Sequence, residues 1–324
     1  MGPRSATVVV STRDRASSLE IVLEFLAHQR VPADLSWEIV VVDNAPRDEI
    51  RALVRDAETR SPAPVRYLAE PRLGLSAARN RGWREARGDV VAFLDDDTRP
   101  DVDWLAQMLE PYEDADVAAV CGRLVPILHD SELGDSAEAW RGEYTFDLGD
   151  EPRDAPALCG ANMSFARSWL ERIGGFDPLL GRTGPCLLAS EEHDALRALR
   201  RLGAPPVRYN PAALVRHETL GLKLEDQLLR KRYYCAGVSG VQIDRKEPLT
   251  RRAIELVLRQ IKFAVWGLKA AGTRLRGQRL GLQQSARLQE FVGYHREFVG
   301  GPARACRDCP HQSYRLRARE SARL

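Results

Sequence analysis

Three consecutive aspartates, Asp95, Asp96 and Asp97, are the side chains of this sequence that most directly indicate chemistry. They follow the apolar run of residues 90–94, which is typical of a buried strand. Neighbouring carboxylates repel one another, so a fold needs a cation or several hydrogen-bond donors to keep them together. Carboxylate oxygens favour Mg²⁺ or Mn²⁺, which often keep coordination positions for substrate phosphates. The triplet therefore predicts a divalent-metal site, with a solvated turn in which Asp97 caps a helix as the alternative.

A fourth aspartate, Asp43, ends the β-rich run of residues 37–42. At the end of a buried strand, its carboxylate could accept hydrogen bonds from a base N–H or from ribose hydroxyls. An Asx-type turn that includes Asn44 explains the same two residues. Taken alone, the residues leave both interpretations open.

Three further acids, Glu191, Glu192 and Asp194, begin a predicted helix. Acids in a first helical turn are often present only because they stabilise the helix dipole. A carboxylate held near a reacting carbon, with its pKa tuned upward, can instead remove the proton from an acceptor hydroxyl. The three residues are therefore candidate general bases.

His217 follows a short apolar run and is a candidate metal or phosphate ligand, with a structural role as the alternative. Near the end of the chain, Cys306 and Cys309 are followed by His311. A zinc site needs a fourth ligand, which this pattern lacks. We therefore expect that segment to be a tail without a metal.

The elements that must position these residues alternate along the first third of the chain. Apolar β-rich runs are followed by segments of helical periodicity, which is typical of a doubly wound α/β domain. The predicted strands cover residues 6–10, 37–42, 65–68 and 89–94, and the predicted helices cover residues 19–26, 49–59 and 76–87. Such sheets bind ligands beyond the carboxyl ends of their strands, so we expect the site at residues 11–15, 43–44 and 95–97.

Beyond residue 157 the sequence predicts a strand and helix over residues 158–173, a helix from residue 190, and short strands at 207–209 and 213–215. Residues 245–285 contain ten lysines or arginines and two glutamates among regularly spaced apolar residues, which indicates a basic amphipathic helical region. Its apolar face could pack on the parent domain or on a second copy of the chain, as in a homodimer. Alternatively, it could lie on an anionic membrane surface.

Composition limits the class of protein. The 324 residues are 44% hydrophobic, and 48 lysines and arginines against 46 aspartates and glutamates give a net charge of +2, so no nucleic-acid partner is expected. We see neither a signal peptide nor a membrane span, and six irregularly spaced cysteines favour a reducing compartment over a disulfide framework. The expected location is cytoplasmic, with peripheral contact on the inner face of the membrane as an added possibility.

Five segments, in this order, resemble the family 2 inverting glycosyltransferases of the GT-A fold over about residues 5–220. They are VVVSTRDR at 8–15, EIVVVDN at 38–44, GLSAARNRG at 74–82, FLDDD at 93–97, and finally CGANM at 159–163 with GGFD at 174–177 and EEHD at 191–194. The resemblance implies a GT-A domain over residues 1–222, with a donor-binding half over about residues 1–122 and an acceptor-side half over about residues 123–222. A helical, basic extension with a flexible tail would follow over residues 223–324.

The resemblance also implies roles for individual residues. The nucleotide would be bound by Ser11, Thr12, Arg13, Asp43, Arg79, Asp95 and Asp96. The metal, Mg²⁺ or Mn²⁺, would be held by Asp97 and Asp95, the outer positions of the family's Asp-x-Asp motif, and the candidate ligand His217, indicated by its own place in the sequence, would join them. The sugar and acceptor side would include Gly160, Ala161 and Asn162. Arg79 would face the diphosphate of a nucleotide-sugar donor, for which family habit favours a uridine diphosphate sugar.

The catalytic base of such enzymes usually sits in a Glu-Asp pair, and here the matching pair is Glu191-Glu192. The base is then Glu192, Glu191 or Asp194. It would deprotonate an acceptor hydroxyl that displaces the nucleoside diphosphate and inverts the anomeric carbon. The alternative is a catalytically inactive nucleotide-sugar-binding or scaffold protein. A dehydrogenase is excluded because the turn at residues 11–15 has no glycine, and a haloacid dehalogenase-type site would not have Arg99 two positions after Asp97.

Overall fold

A computed structural model describes residues 5–113, 116–127, 137–184, 186–219, 225–276 and 280–300. Its strands are β1 (Ser5–Thr12), β2 (Ser36–Asp43), β3 (Val65–Ala69), β4 (Val90–Asp95), β5 (Thr98–Pro100), β6 (Ala119–Ile127), β7 (Arg153–Asp154), β8 (Asn162–Ala166) and β9 (Val207–Glu218). Its α-helices are α1 (Ala16–Ala27), α2 (Asp48–Arg60), α3 (Leu75–Glu85), α4 (Trp104–Leu109), α5 (Ala137–Glu143), α6 (Arg167–Ile173), α7 (Glu191–Arg201), α8 (Asp226–Asp244), α9 (Leu249–Leu275) and α10 (Leu282–Gly300). The segment with Cys306, Cys309 and His311 lies outside the described residues.

The chain divides into two compact units. The first contains Met1–His129, Arg141–Pro178 and Glu191–Gly221. The second contains Asp130–Trp140, Leu179–Ser190 and Leu222–Leu324. The units therefore interleave along the sequence, and a division into domains at residue 222 stays a prediction.

All the described strands lie in the first unit and form one nine-stranded sheet. Its order is β3-β2-β1-β4-β8-β6-β9-β5, with β7 paired to β9. Strands β1, β2, β3 and β4 are parallel, as the alternation of strand and helix predicts. The second half is mixed, since β8 runs antiparallel to both β4 and β6 whereas β6 and β9 are parallel. The predicted α/β fold is confirmed.

Strand burial explains why these segments form the centre of the sheet. From the second residue onwards β1 and β2 are buried, and helix α1 buries Leu19, Val22, Leu23 and Leu26 on one face, at the spacing of an amphipathic helix. Helix α3 ends two residues before the predicted position. The N–H groups of Arg87 and Gly88 leave the helical pattern to bond the side chains of Glu38 and Thr7, at 3.0 and 2.9 Å.

The two short strands predicted near residues 207–215 need a correction. The structure has one continuous strand, β9, whose pairing with β6 shifts register between Gly122 and Leu124. At this shift the side chain of Asn210 accepts the N–H of Ala212 at 3.1 Å, so a local turn takes up the extra residues. The sequence gap between the two apolar runs is therefore a bulge and not a break between strands.

In the second unit, helices α8 and α10 approach closely through glycines. A Cβ atom on Gly237 would lie 1.9 Å from the carbonyl oxygen of Glu290, and one on Gly293 would lie 2.0 Å from that of Tyr234. Any larger residue would push the helices apart. Among the described residues, no helix combines the length and apolar character needed to cross a bilayer.

The cysteines differ from the expectation of a chain without disulfides. Cys121, Cys159 and Cys235 are buried free thiols, as a reduced chain would have. Cys186 is disulfide-bonded.

Candidate active site

The carboxyl ends of three neighbouring parallel strands bring the predicted residues together. Thr12 at the end of β1 pairs with Asp43 of β2, and Ser11 pairs with Asp95 of β4. Asp43 and Asp95 therefore flank the end of β1 on its two sides. This is the sheet edge at which an open α/β sheet binds ligands.

Asp96 is buried and points into the loop after β1. Its carboxylate accepts hydrogen bonds from Thr12 Oγ1 at 2.7 Å and from Arg15 Nη1 at 3.2 Å. Burial, together with the charge of Asp97, raises the pKa of Asp96 to about 7. The middle aspartate of the triplet is thus held by the protein itself.

Asp97 lies beside His217, because β5 pairs with β9 and sets Thr98 opposite His217. His217 Nε2 lies 3.2 Å from Asp97 Oδ1, and His217 Nδ1 lies 3.0 Å from the carbonyl oxygen of Glu218. A carbonyl oxygen only accepts, so Nδ1 donates in that contact, and Nε2 is the ring nitrogen that faces Asp97. The structure brings His217 to the aspartate triplet, as a metal site requires.

Ligand atoms of Asp95, Asp97 and His217 all lie within 4.8 Å of one another. Two carboxylates and one imidazole are a donor set that suits Mn²⁺ and related divalent cations. The imidazole is oriented by its backbone contact, which is the usual support of a histidine ligand. These residues therefore fit a divalent cation.

Arg15, which immediately precedes α1, was not assigned a role from the sequence. Its Nη1 contacts both Asp96 and Asp97, and its side chain is 40% exposed. The only signal was its place at the end of the VVVSTRDR segment, since a loop arginine gives no hint of its partners. Among the described residues, Arg15 is the arginine or lysine that forms an ion pair with Asp97.

Arg79 of α3 is buried, with 2% of its side chain exposed. Its Nη1 donates to Glu191 at 2.5 Å, and its Nη2 donates to Asp95 at 3.0 Å and to the carbonyl oxygen of Gly160 at 2.7 Å. Burial alone would lower its pKa, but the charges of Asp95, Glu191 and Glu192 outweigh burial and raise it. Arg79 thus joins the aspartate strand to helix α7, while contact with a diphosphate stays a prediction.

The three candidate bases at the start of α7 differ in access. Glu191 and Asp194 are buried, at 4% and 7% exposure, whereas the side chain of Glu192 is 16% exposed. Glu192 Oε1 accepts a hydrogen bond from His193 Nδ1 at 2.8 Å. Burial opposes ionisation of Glu192, but this bond and the charge of His193 lower its pKa below the usual value. Burial and the charge of Glu192 instead raise the pKa of Glu191.

Gly160 lies beside both Arg79 and Glu192. A Cβ atom at this position would lie 3.5 Å from Arg79 Nη2 and 3.8 Å from Glu192 Cδ. Ala161 is buried, and the amide of Asn162 is committed to the core. It accepts from Trp104 Nε1 at 2.8 Å and donates to the carbonyl oxygens of Arg123 and Ala213 at 2.9 and 2.8 Å. The structure therefore places Gly160 in the site and uses the Asn162 side chain to join β8 to its neighbours.

The remaining nucleotide-binding candidates lie at the same edge of the sheet but differ in their hydrogen bonding and exposure. The carboxylate of Asp43 accepts the N–H groups of Ala45 and Arg47, each at 3.0 Å, and the Tyr67 hydroxyl at 3.1 Å. This is the Asx-type turn given above as the alternative. A role in nucleotide binding stays a prediction for Asp43.

Ser11 and Arg13 are less engaged in hydrogen bonds within the protein than Asp43 is. The Ser11 hydroxyl is buried and has no hydrogen-bond partner within the described part of the chain. Such a group is costly unless a ligand or water bonds it. The Arg13 side chain is 41% exposed and lies 3.8 Å from Asp14. Arg13 is therefore accessible to a ligand, whereas the buried Ser11 hydroxyl keeps an unused hydrogen-bonding capacity.

The GGFD segment at 174–177 is anchored to α3 by Asn80, a residue to which the sequence gave no role of its own. Asn80 donates to the carbonyl oxygen of Phe176 at 2.7 Å and accepts its N–H at 2.9 Å. Gly175 has φ of 81°, and a Cβ atom there would lie 2.4 Å from Asn80 Oδ1. Only glycine fits this contact, which sets the Phe176 ring 5.8 Å from the Arg79 guanidinium.

Curated relatives match most of this chain. A pre-mycofactocin glycosyltransferase of Mycobacterium tuberculosis is 29% identical over 281 residues, which are 84% of this chain and 54% of that protein. The chain thus spans about half the length of that relative. A glucosyl-dolichyl phosphate glucuronosyltransferase of Haloferax volcanii is 27% identical over 245 residues, which are 74% of this chain and 77% of that protein.

Solved structures share the fold. The mannosyltransferase PcManGT from Pyrobaculum calidifontis, in complex with GDP-Man and Mn²⁺, matches with a TM-score of 0.62 and 20% identity over 93% of this chain and 89% of its own. GalNAc-T7 with UDP, GalNAc and Mn²⁺ matches with a TM-score of 0.52 and 18% identity over 73% of this chain and 48% of its own. The family model for glycosyl transferase family 2 matches residues 7–174, which include most of β1, all of β4 and the aspartate triplet. The chain belongs to glycosyl transferase family 2.

Proposed function

We propose that the chain is a metal-dependent inverting glycosyltransferase that moves a sugar from a nucleotide diphosphate donor to an acceptor hydroxyl. The observation that carries this proposal is the approach of Asp95, Asp97 and His217, whose ligand atoms lie within 4.8 Å of one another. Family membership supports the transfer chemistry. The Mn²⁺ in the complexes of PcManGT and GalNAc-T7 supports the choice of a divalent cation.

The donor end of the site would be formed by the loop after β1 and the end of β4. A divalent cation held by Asp95, Asp97 and His217 would neutralise the charge that develops on the departing diphosphate. The Ser11 hydroxyl has no hydrogen-bond partner among the described residues and would donate to or accept from the nucleotide. Arg15 is partly exposed, so it can exchange one of its aspartate contacts for a phosphate oxygen.

The base would be Glu192. Glu191 is paired with the buried Arg79, and Asp194 is buried, whereas Glu192 retains exposure beside Gly160. Its pKa is lowered and not raised as the sequence-based expectation had it, so Glu192 is ionised at neutral pH, as a base must be, but is a weaker base than a glutamate with a raised pKa. Attack by that acceptor oxygen on the anomeric carbon needs no covalent enzyme intermediate and inverts the configuration.

The donor we favour is a uridine diphosphate sugar, by analogy with the family. The acceptor would be a hydroxyl of a glycan, a lipid-linked molecule or a small biosynthetic molecule. The names of the two relatives support this range, since one refers to pre-mycofactocin and the other to a glucosyl-dolichyl phosphate. The alternative is an inactive nucleotide-sugar-binding or scaffold protein. Its only support is that residue 192 is a glutamate, whereas the second position of the family's Glu-Asp pair is usually an aspartate.

A donor screen tests the proposal. UDP-, GDP- and dTDP-sugars are incubated with the chain, with and without Mn²⁺, and nucleotide release and donor binding are both measured. We expect release with one donor class that disappears when Mn²⁺ is chelated, and an inverted anomeric carbon in the NMR spectrum of the product. Donor binding without release on every acceptor tried would favour the inactive alternative, and a retained configuration would refute the single displacement.

A further inference from the structure

Helix α9 carries a stripe of exposed apolar side chains. Ile254, Ile261 and Leu268 recur every seven residues and are 59%, 56% and 73% exposed. Seven residues are close to two helical turns, so the three side chains point in nearly the same direction. Leu258 and Val265 widen the stripe and are 47% and 45% exposed. This face is not the one that packs on α10. Contacts with α10 are made from the other side of α9, for example by Phe263, whose ring lies 4.8 Å from that of Phe291, and by Gln260, whose Nε2 lies 3.1 Å from His295 Nε2.

A basic row borders the apolar stripe. Lys262 and Lys269 are exposed and seven residues apart, and the exposed Arg276 follows after another seven. Residues three and four positions apart are neighbours on a helix surface, so Val265 lies between Lys262 and Lys269. The whole of α9 contains six lysines or arginines and a single acid, Glu255. An exposed apolar face with a cationic border is typical of a helix that lies in the plane of a membrane interface.

An apolar cavity adjoins the C-terminal end of the stripe. Its volume is about 480 Å³. It is lined by Gly267, Ala270, Ala271, Leu275, Leu280 and Leu288. Leu275 is also 88% exposed, so the cavity opens to the surface at this residue. The described residues of this lining are apolar, so the cavity suits an acyl chain.

We propose that α9 lies on an anionic lipid surface, with its apolar stripe among the acyl chains and Lys262, Lys269 and Arg276 at the phosphate headgroups. Charge complementarity favours an anionic lipid surface over a second copy of the chain as the partner of this helix face. Two copies of α9 would bring two cationic helices together with only Glu255 on each to offset the repulsion. The proposal is independent of the glycosyl-transfer reaction, because it depends on no residue of the active site.

Vesicle co-sedimentation of the full chain tests this proposal. Vesicles of phosphatidylcholine alone are compared with vesicles that also contain phosphatidylglycerol. We expect binding to the anionic vesicles only, and we expect it to weaken as salt is added. Leu268→Glu should weaken binding at least about tenfold, since it removes a buried leucine from the lipid phase. Lys262→Gln and Lys269→Gln should each weaken it about fivefold.

Matched controls are Leu202→Glu and Arg55→Gln, which change an exposed leucine and an exposed arginine of the first unit and should leave binding unchanged. Circular dichroism and the thermal midpoint check that Leu268→Glu folds. Equal affinity for the two vesicle types, or unchanged binding by Leu268→Glu, would overturn the proposal. If Leu268→Glu instead converted a dimer to a monomer in light scattering without a loss of vesicle binding, the stripe would be a subunit interface.

Discussion

Two groups of carboxylates meet at the active-site edge of the sheet, and each is held by one arginine. Asp96 and Asp97 are held by Arg15, whose side chain is 40% exposed. Asp95 and Glu191 are held by Arg79, whose side chain is 2% exposed. An exposed arginine can exchange partners at low cost, whereas a buried one cannot leave without stranding charge. We therefore call Arg15, Asp96 and Asp97 the donor side, where arginine contacts can be exchanged. We call Arg79, Asp95 and Glu191 the framework side, which lies next to the proposed base and is fixed.

Removal of Asp97 should break the donor side most severely. Asp97→Ala deletes a predicted metal ligand and leaves His217 without its carboxylate neighbour. We expect Mn²⁺-dependent turnover to fall by at least about 10³-fold, because the diphosphate then departs without charge neutralisation. Nucleotide release under saturating donor measures this loss. The exposed Asp56→Ala serves as the control and should retain full activity, and undiminished turnover by Asp97→Ala would refute the metal assignment.

Glu192→Gln should remove proton transfer and keep the shape of the site. Loss of a general base typically costs 10²–10⁴-fold, so we expect kcat to fall by about 10²-fold or more while the KM for the donor stays unchanged. Steady-state kinetics separate these two constants. The exposed Glu58→Gln is the matched control. If Glu191→Gln lowered kcat and Glu192→Gln did not, the roles of the two glutamates would be exchanged.

The framework side is best tested through stability. Arg79→Met leaves Asp95 and Glu191 without their shared cation, and breaking a buried ion pair in this way costs about 3–5 kcal/mol. Urea unfolding should show this loss in the midpoint with an unchanged slope. Arg55→Met, at an exposed position of α2, should change the free energy of unfolding by less than about 0.5 kcal/mol. Equal effects of Arg79→Met and Arg55→Met would mean that Arg79 is not part of a fixed framework.

The smallest effect is expected at Arg15. Arg15→Gln removes a partly exposed pair worth at most about 1 kcal/mol, so stability should change little. Because Arg15 and a cation compete for Asp97, affinity for Mn²⁺ without donor should rise by up to about fivefold. Manganese electron paramagnetic resonance measures the free ion directly. A loss of Mn²⁺ affinity in this variant would mean that Arg15 supports the metal site and does not compete for it.

Much of the edge could be predicted from sequence, because parallel strands are buried on both faces and appear as continuous apolar runs. The residues that follow those runs, Asp43 and Asp95, therefore lie on either side of β1 as expected. The partners of Arg15 could not be predicted, since loop geometry decides which carboxylates it meets. The role of the Asn162 amide in the core could not be predicted either, because its hydrogen-bond partners come from three distant segments of the chain.

Helix α9 shows the same limit. Periodicity and charge predict a basic amphipathic helix within residues 245–285, and α9 fits that description. They do not predict which apolar residues pack against another helix. The position of α10 decides this. Phe291 of α10 packs against Phe263, whereas Ile261 and the rest of the apolar stripe stay exposed.

Donor affinity in the two active-site variants tests the central division between metal side and base side most directly. Isothermal titration of the donor in the presence of Mn²⁺ is carried out on the wild-type chain, Asp97→Ala and Glu192→Gln. We predict that Glu192→Gln binds the donor within about twofold of wild type, while Asp97→Ala loses binding by at least about tenfold. An equal loss of donor affinity in both variants would contradict that division.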